Sequence, residues 1–189
     1  MMTSKNNNGY GNAIHIQIPR IKIPIPLFTI FKALGISNDK KICKIILLTN
    51  DFNNDEEISI LARALKGSIY EAGDIETKEQ AFDIIKNNVI FTPINMDKDQ
   101  GEQKKIEFAQ DVLNNDLFPH CHNETQKIYF LGYMTKKLLM ANEGFIQQDD
   151  RDSYLNKRID LTGTLLNNLF RNYFNKLVKD MQKQIVREI

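Results

Sequence analysis

The chain has 189 residues, enough for one sizeable domain or for a domain with an appendage. Its 25 basic residues nearly balance its 24 acidic ones, and this formal net charge of +1 excludes a strong overall attraction to nucleic acid. Hydrophobic residues make up 42% of the chain, but no apolar run approaches the roughly 20 residues needed to cross a bilayer, so we expect a globular protein with no membrane partner.

The N-terminal segment, residues 1–12, is polar and rich in asparagine and glycine. It lacks the charged-then-apolar order of an export signal, so we expect a flexible tail and an intracellular location. After it, isoleucines alternate with polar residues or prolines over 14–25, which is typical of a strand with one buried face. Pro19, Pro24 and Pro26 predict that this strand lies at a sheet edge or is partly irregular.

Apolar residues at helical spacing then predict six helices before residue 144. They are a short helix over 27–34 ended by Gly35, helices carrying Ile42–Ile46 and Ile58–Leu65, a helix with a Thr77/Gln80 capping box before Phe82, a helix over 101–113, and a helix from Lys127 to Gly144. The stretch 90–100 between the fourth and fifth helices predicts a loop. The fold class indicated is α+β, mainly helical with a minor sheet.

The clearest element is the last helix, which begins past Gly163. Apolar pairs recur every four residues from Leu165/Leu166 to Leu177/Val178, and Met181 and Ile185 continue the stripe. This pattern predicts about six helical turns with a wide apolar face. Such a face needs a cover, so we expect this helix to belong to a neighbouring domain.

Between the two longest helices lies a segment of dense alternating charge, Asp149–Leu161, which we call the charged block. One interpretation is a solvated cluster of surface ion pairs, each worth little. The other is a nucleic-acid contact in which Lys157 and Arg158, with Arg151, face phosphates while the aspartates position them, since a guanidinium offers paired donors to phosphate.

The last helix also carries basic residues on its polar side, namely Arg171, Lys176, Lys179, Lys183 and Arg187. This strip could face DNA or RNA, or it could be the solvated side of the helix. The aromatic residues Phe170, Tyr173 and Phe174 lie on the apolar stripe, where a core role is expected before base stacking.

Other chemistry is poorly represented. Cys43 and Cys121 are far apart in the sequence, and no disulfide is expected. His120, Cys121 and His122 offer ligands that suit zinc, but no fourth ligand stands at a suitable spacing, so no metal site is predicted. Phosphate-binding loops, nucleophile elbows and HExxH helices are absent from the sequence, and we predict neither catalytic residues nor a cofactor bound by this chain.

Several segments, taken in order, resemble one family. The charged block, with Tyr129–Met134 before it and Leu161–Leu166 after it, is similar to the second-largest (beta-type) subunit of multisubunit DNA-directed RNA polymerases. Further segments that fit the same family are Ile23–Pro26, Ile30–Ile36, Asn38–Lys40 and Phe118–His120. Together they span most of residues 13–161. The sequence departs from the family pattern at Leu155, Asn156 and Thr164, which weakens the case for a nucleic-acid contact more than the case for the fold.

The resemblance implies a domain organisation. Residues 13–158 would form the lobe domain, and residues 159–189 would begin the returning segment of the neighbouring protrusion domain, whose first half would precede this sequence. Asp150, Asp152 and Asp160 would lie at the junction of lobe and protrusion. The chain would thus be a fragment of the subunit, from a split, interrupted or truncated gene. Its lysine-, isoleucine- and asparagine-rich composition favours a large DNA virus slightly over a protist.

The resemblance also implies a function, DNA-templated RNA synthesis, in which the lobe walls the DNA cleft and helps to hold downstream DNA. Catalytic Mg²⁺ would be held mainly by the largest subunit, so this chain alone should be inactive. Its partners would be the largest subunit, the remaining segments of the second subunit, template DNA and transcription factors, in a nucleus or in a viral factory or virion. The alternatives are an independent protein-interaction module and a small nucleic-acid-binding protein.

Overall fold

The computed structural model describes residues 2–5, 11–49, 55–92 and 98–188. The chain divides into two compact units, Met1–Gln147 and Gln148–Ile189. This division falls ahead of the boundary predicted at residue 158. Part of the predicted tail and residues 93–97 of the predicted loop over 90–100 lie outside the described residues, and the last three residues of that loop belong to a helix that begins at Lys98.

A small antiparallel sheet belongs to the first unit. Its strands are β1 (Met2–Lys5), β2 (Asn12–Ile16) and β3 (Ile25–Pro26), in the order β1-β2-β3. β1 falls within the segment for which a flexible tail was predicted. It lacks an alternating apolar pattern and joins the sheet by pairing antiparallel with β2, and such backbone pairing leaves little mark on a sequence.

The strand predicted over 14–25 is interrupted. Only its two ends lie in β2 and β3, because prolines in between have no N–H for a ladder. Arg20 between them has a left-handed φ of 64°, and Ile21 makes an isolated bridge with Val89. The expectation of an edge or irregular strand is therefore confirmed.

All the predicted helices are present, and a short unpredicted one follows the third. The helices are α1 (Leu27–Ala33), α2 (Asp39–Leu47), α3 (Glu56–Ala64), α4 (Lys66–Glu71), α5 (Lys78–Asn88), α6 (Lys98–Asp111), α7 (Glu124–Asn142) and α8 (Thr162–Glu188). A π-helical turn, Val112–Asp116, continues α6. The Thr77/Gln80 capping box forms as predicted, and the mainly helical α+β class is confirmed.

The core of the first unit is built around α1, in which every residue is buried. This helix packs against the sheet, α2, α4 and α5. α7 packs on α2, where Gly132 lets the two backbones approach closely beside Ile45. The sequence spacing predicts that Leu131, Met134, Leu138 and Ala141 form the buried stripe of α7. Leu131 is fully buried as expected, but the other three are half-buried and Leu139 is buried instead.

Three lysines in the first unit hold the C-terminal ends of other helices. The Lys32 ammonium donates to the Ile75 carbonyl beyond α4 at 2.7 Å, and that of Lys136 donates to the last carbonyl of α2 at 3.1 Å. Lys127 does the same for the carbonyl of Leu113 in the π turn, at 2.7 Å. Helix C-termini leave carbonyls without hydrogen-bond partners and carry partial negative charge. An ammonium donates to these carbonyls and also offsets the charge.

The second unit contains a single-turn 3₁₀ helix, Tyr154–Asn156, and α8. No residue of α8 is buried, and apolar side chains such as Leu166 (60% exposed) and Phe170 (69%) lie open. The Phe170 and Phe174 rings stack on each other with centroids 5.7 Å apart. Within the described ranges, no helix is both long and apolar enough to span a membrane.

Candidate nucleic-acid and junction site

The charged block folds back on itself through Asp150. The Asp150 carboxylate accepts a hydrogen bond from the Asp152 N–H at 2.9 Å, and its carbonyl accepts one from the Asn156 side-chain amide at 2.6 Å. This is the local Asx geometry that stabilises turns. Asp150 and Asp152, both predicted at the junction, are therefore brought together, and Asn156 has a structural partner in this loop.

The 3₁₀ turn at the centre of the block is capped by Ser153, whose hydroxyl accepts a hydrogen bond from the Leu155 N–H at 3.4 Å. The turn presents Tyr154 and Leu155 to solvent, each 95% exposed.

Of the predicted cations, Lys157 is the one brought to a predicted anion. Its ammonium lies 3.2 Å from the Asp152 carboxylate, and the two side chains are 48% and 90% exposed. An ion pair this exposed contributes no more than about 1 kcal/mol. An ammonium has three donors, so the Asp152 pair leaves Lys157 with capacity for a phosphate oxygen.

The other predicted site residues are not brought into such pairs. Arg151, Arg158 and Asp160 are exposed, and no ion pair involves them in the described part of the chain. Sequence proximity therefore placed all six residues in one loop, while the structure joins Lys157 to Asp152 and folds the backbone around Asp150.

The segment His120–His122 has an aromatic environment. Cys121 is buried, and the His120 ring lies 4.6 Å from the ring of Phe130 in an edge-on arrangement. The His122 N–H donates to the Gln126 side chain at 3.0 Å, near the start of α7. No cluster of three or more histidine, cysteine or acidic side chains placed for a metal ion occurs among the residues described.

The sequence did not indicate a groove in the first unit, lined by residues of α1, α5, α6, the π turn and α7, with a volume of about 570 Å³. It also did not indicate that Lys127 is buried beside it. Burial lowers the pKa of the Lys127 ammonium, while Cys121 and Glu124 act in the opposite direction. The available sequence signal was that Lys127 stands next to the apolar positions of α7. A buried ammonium needs a hydrogen-bonding or charged partner, so such a position indicates a polar contact inside the unit.

Comparison with known proteins extends these observations. The family model described as RNA polymerase Rpb2, domain 2, matches residues 2–160. The chain is 36% identical over 178 residues to the DNA-directed RNA polymerase II subunit RPB2 of Encephalitozoon cuniculi, covering 91% of this chain. It is 33% identical to the DNA-directed RNA polymerase II subunit 2 of Arabidopsis thaliana over 96% of the chain, and 31% identical to the DNA-directed RNA polymerase subunit Rpo2N of Methanococcus vannielii over 93%.

The matched region is a small part of these relatives. The chain spans 14% and 15% of the length of the two RNA polymerase II subunits and 33% of the archaeal subunit. The match to domain 2 covers the first unit from its second residue and the charged block as far as Asp160. The family resemblance drawn from the sequence is thus confirmed, and the chain belongs to the family of second-largest RNA polymerase subunits, in the region of domain 2.

Proposed function

We propose that this chain acts in DNA-templated transcription as the lobe of a DNA-directed RNA polymerase, walling the DNA cleft. The observation that carries this proposal is the match to domain 2 of the second-largest subunit over residues 2–160. The closed core of the first unit supports a rigid wall, since a packed interior resists deformation. Residues 13–158 would form the lobe and 159–189 the start of the returning protrusion segment.

The exposed face of α8 supports the assembly part of this proposal. Large apolar side chains run along the helix and are about half exposed or more, including Leu165, Leu169, Tyr173 and Phe174. Burial of a large apolar side chain contributes about 1.5–3 kcal/mol, so an apolar face of this length favours a protein partner. We assign that role to the remaining segments of the second subunit, with the largest subunit as a further partner.

The charged block would serve the same assembly in two ways. Lys157, Arg158 and Arg151 would contact phosphates of template DNA, which their exposure supports. Asp150 and Asp152, which shape the turn, would hold the lobe–protrusion junction together with Asp160. Transcription factors would dock on the lobe.

The chemistry itself would reside elsewhere in the polymerase. Nucleotidyl transfer needs Mg²⁺ to stabilise the transferring phosphate. The side chains here do not fit such a site, because the described residues bring no three suitable donors together. This chain alone would be inactive, and its place of action would be the nucleus, as for the RNA polymerase II relatives, or the factory or virion of a large DNA virus.

Affinity purification from the native cell tests this proposal. The tagged chain should recover the largest polymerase subunit together with templated RNA synthesis. The variant Leu169→Asp should lose both, because it places a charge in the apolar face of α8, whereas the neighbouring Asn168→Asp should keep both. A chain recovered without polymerase subunits would exclude the role and favour an independent module, whereas equal recovery with both variants would exclude the apolar face of α8 as the assembly surface.

A second measurement addresses the phosphate contacts. With the assembled polymerase, Lys157→Glu/Arg158→Glu should weaken DNA binding and reduce its salt dependence, because each lost phosphate contact removes roughly one unit of the salt slope. Lys176→Glu/Lys179→Glu on α8 is a matched double reversal. An unchanged slope in the first variant would exclude these residues as phosphate contacts.

A further inference from the structure

The groove in the first unit has an apolar floor. Five apolar residues from α1 and the residue after it, α5, α6 and the π turn line it: Ala33, Leu34, Phe82, Ile106 and Leu113. Phe82 and Ile106 are only half-buried, so their side chains are partly available to a bound molecule. A volume of about 570 Å³ falls within the range of pockets that take a ligand or a large anchoring side chain.

One wall of the groove is held in place by the buried lysine. The Lys127 ammonium donates to the carbonyls of Leu113, at 2.7 Å, and Asn114, at 2.5 Å, and both of these residues line the groove. They belong to the π turn, a rare geometry that occurs frequently at functional sites. A wall fixed in this way loses little conformational entropy when something binds.

The rim of the groove carries excess negative charge. Three carboxylates line it, those of Glu79, Asp83 and Glu124, against the two ammonium groups of Lys78 and Lys86. Both ammonium groups lie near rim carboxylates, Lys78 at 3.6 Å from Glu124 and Lys86 at 3.2 Å from Asp83. Glu79 and Asp83 are four residues apart on α5, so their carboxylates stand on one side of that helix.

We propose that this groove docks an amphipathic helical segment of a partner protein, with a large apolar side chain on the floor and a lysine or arginine facing Glu79 and Asp83. An apolar anchor with flanking charge is the usual form of helix recognition in a groove. The groove lining has one carboxylate in excess of its ammonium groups, which favours a cation of a basic helix over a phosphate, so we assign a protein segment as the occupant. The inference rests on the proposed function in one respect, namely that partner proteins dock on the lobe.

A direct binding experiment tests this docking with the full chain. The probe is a fluorescent peptide of about 14 residues with leucine or phenylalanine at i, i+4 and i+7 and lysine on the remaining positions. We expect saturable binding with a Kd of about 10–300 μM, weakened by salt. A peptide with glutamate in place of lysine should bind at least about tenfold more weakly, because it meets the acidic rim.

Variants locate the binding. Glu79→Lys should weaken it about fivefold or more, while Glu57→Lys, at the equivalent second position of α3 and outside the groove, should leave it unchanged. Gln110→Trp, at an exposed lining position, should block the groove without touching the core. Leu169→Asp on α8 should have no effect, which separates the groove from the other apolar surface.

Three results would overturn the inference: no binding at about 1 mM peptide, equal binding of the glutamate peptide, or a loss with Leu169→Asp that Glu79→Lys does not produce. None of these bears on polymerase assembly, which is tested separately by recovery of the largest subunit. The docking proposal and the lobe proposal can therefore fail independently.

Discussion

α7 in the first unit and α8 in the second are both long helices with apolar stripes, yet their surroundings differ completely. Leu131 of α7 is fully buried, whereas Leu166 of α8 is 60% exposed. α7 packs against α2 and α3, and α8 has no buried residue. An apolar stripe therefore predicts that one face of a helix will be buried. It does not say which element or protein buries that face, because this depends on residues outside the helix.

The difference also concerns what stabilises each helix. α7 gains from tertiary burial, from the close approach at Gly132 and from its lysines, two of which hold carbonyls of other elements. α8 depends on its own backbone hydrogen bonds and helix propensity, which are marginal for an isolated helix. We therefore expect the first unit to unfold cooperatively and α8 of the isolated chain to melt gradually.

The largest effect should come from removing core volume. Leu131→Ala should lower the free energy of unfolding of the first unit by about 2–5 kcal/mol, through lost burial and a residual cavity. Leu166→Ala, the same change on α8, should alter it by less than about 0.5 kcal/mol. Urea unfolding followed by circular dichroism compares the two. A large effect of Leu166→Ala would show that α8 is already covered in solution.

The buried ammonium should give the next largest effect. Lys127→Met keeps the aliphatic stem but leaves the carbonyls of Leu113 and Asn114 without a donor, which should cost about 1–3 kcal/mol. Lys157→Met removes an exposed ion pair in the charged block and should cost less than about 0.5 kcal/mol. Equal losses in the same denaturation experiment would contradict the assignment of Lys127 as a structural cap.

A pair of glycines sharpens the comparison of packing. A Cβ at Gly132 would stand 3.1 Å from the Ile45 side chain and 3.2 Å from its carbonyl oxygen, whereas a Cβ at Gly163 in α8 meets nothing within 4 Å. Gly132→Ala should therefore destabilise the first unit by about 1–2 kcal/mol through overpacking. Gly163→Ala should stabilise α8 by up to about 1 kcal/mol, because alanine has a higher helix propensity than glycine. Thermal melts that rank the two variants the other way would refute this reading of the contact.

Much of the fold could be predicted from the sequence because local signals agree with the final structure. The Thr77/Gln80 box and the cap at Asn38 fix helix starts through nearby atoms. Two elements were not predicted from the sequence: α4, which is too short to show a period, and β1, which joins the sheet by antiparallel pairing with β2. The π turn was also not predicted; its Leu113 carbonyl accepts a hydrogen bond from a lysine of the following helix, a contact that local spacing does not show.

The candidate sites show the same limit. The charged block was found because all its residues are consecutive, although the sequence did not reveal that Lys157 would pair with Asp152. The groove combines residues from Ala33 to Glu124, on elements that come together only in the folded unit. Residues that come from distant elements have no characteristic spacing in the sequence. A site formed by them is therefore visible only in the folded structure.

The smallest predicted effect concerns pH and again separates the two units. Burial, with a further contribution from Asp39, raises the pKa of the Cys43 thiol from 9.0 to about 11. A folded-state pKa above the unfolded one means that the neutral thiol is favoured in the fold, so its stabilisation is complete below pH 9 and is lost as pH rises towards 11. Because the thiol is only half-buried, the loss should be about 1 kcal/mol or less.

Cys43→Ala isolates this contribution. The variant should be less stable than the parent at about pH 8, because a packed side chain is trimmed, but its free energy of unfolding should fall less between about pH 9 and 11. The helicity of α8 should not respond to this substitution, since both cysteines lie in the first unit. Parallel pH profiles for parent and variant would mean that the Cys43 thiol ionises as easily in the fold as in the unfolded chain.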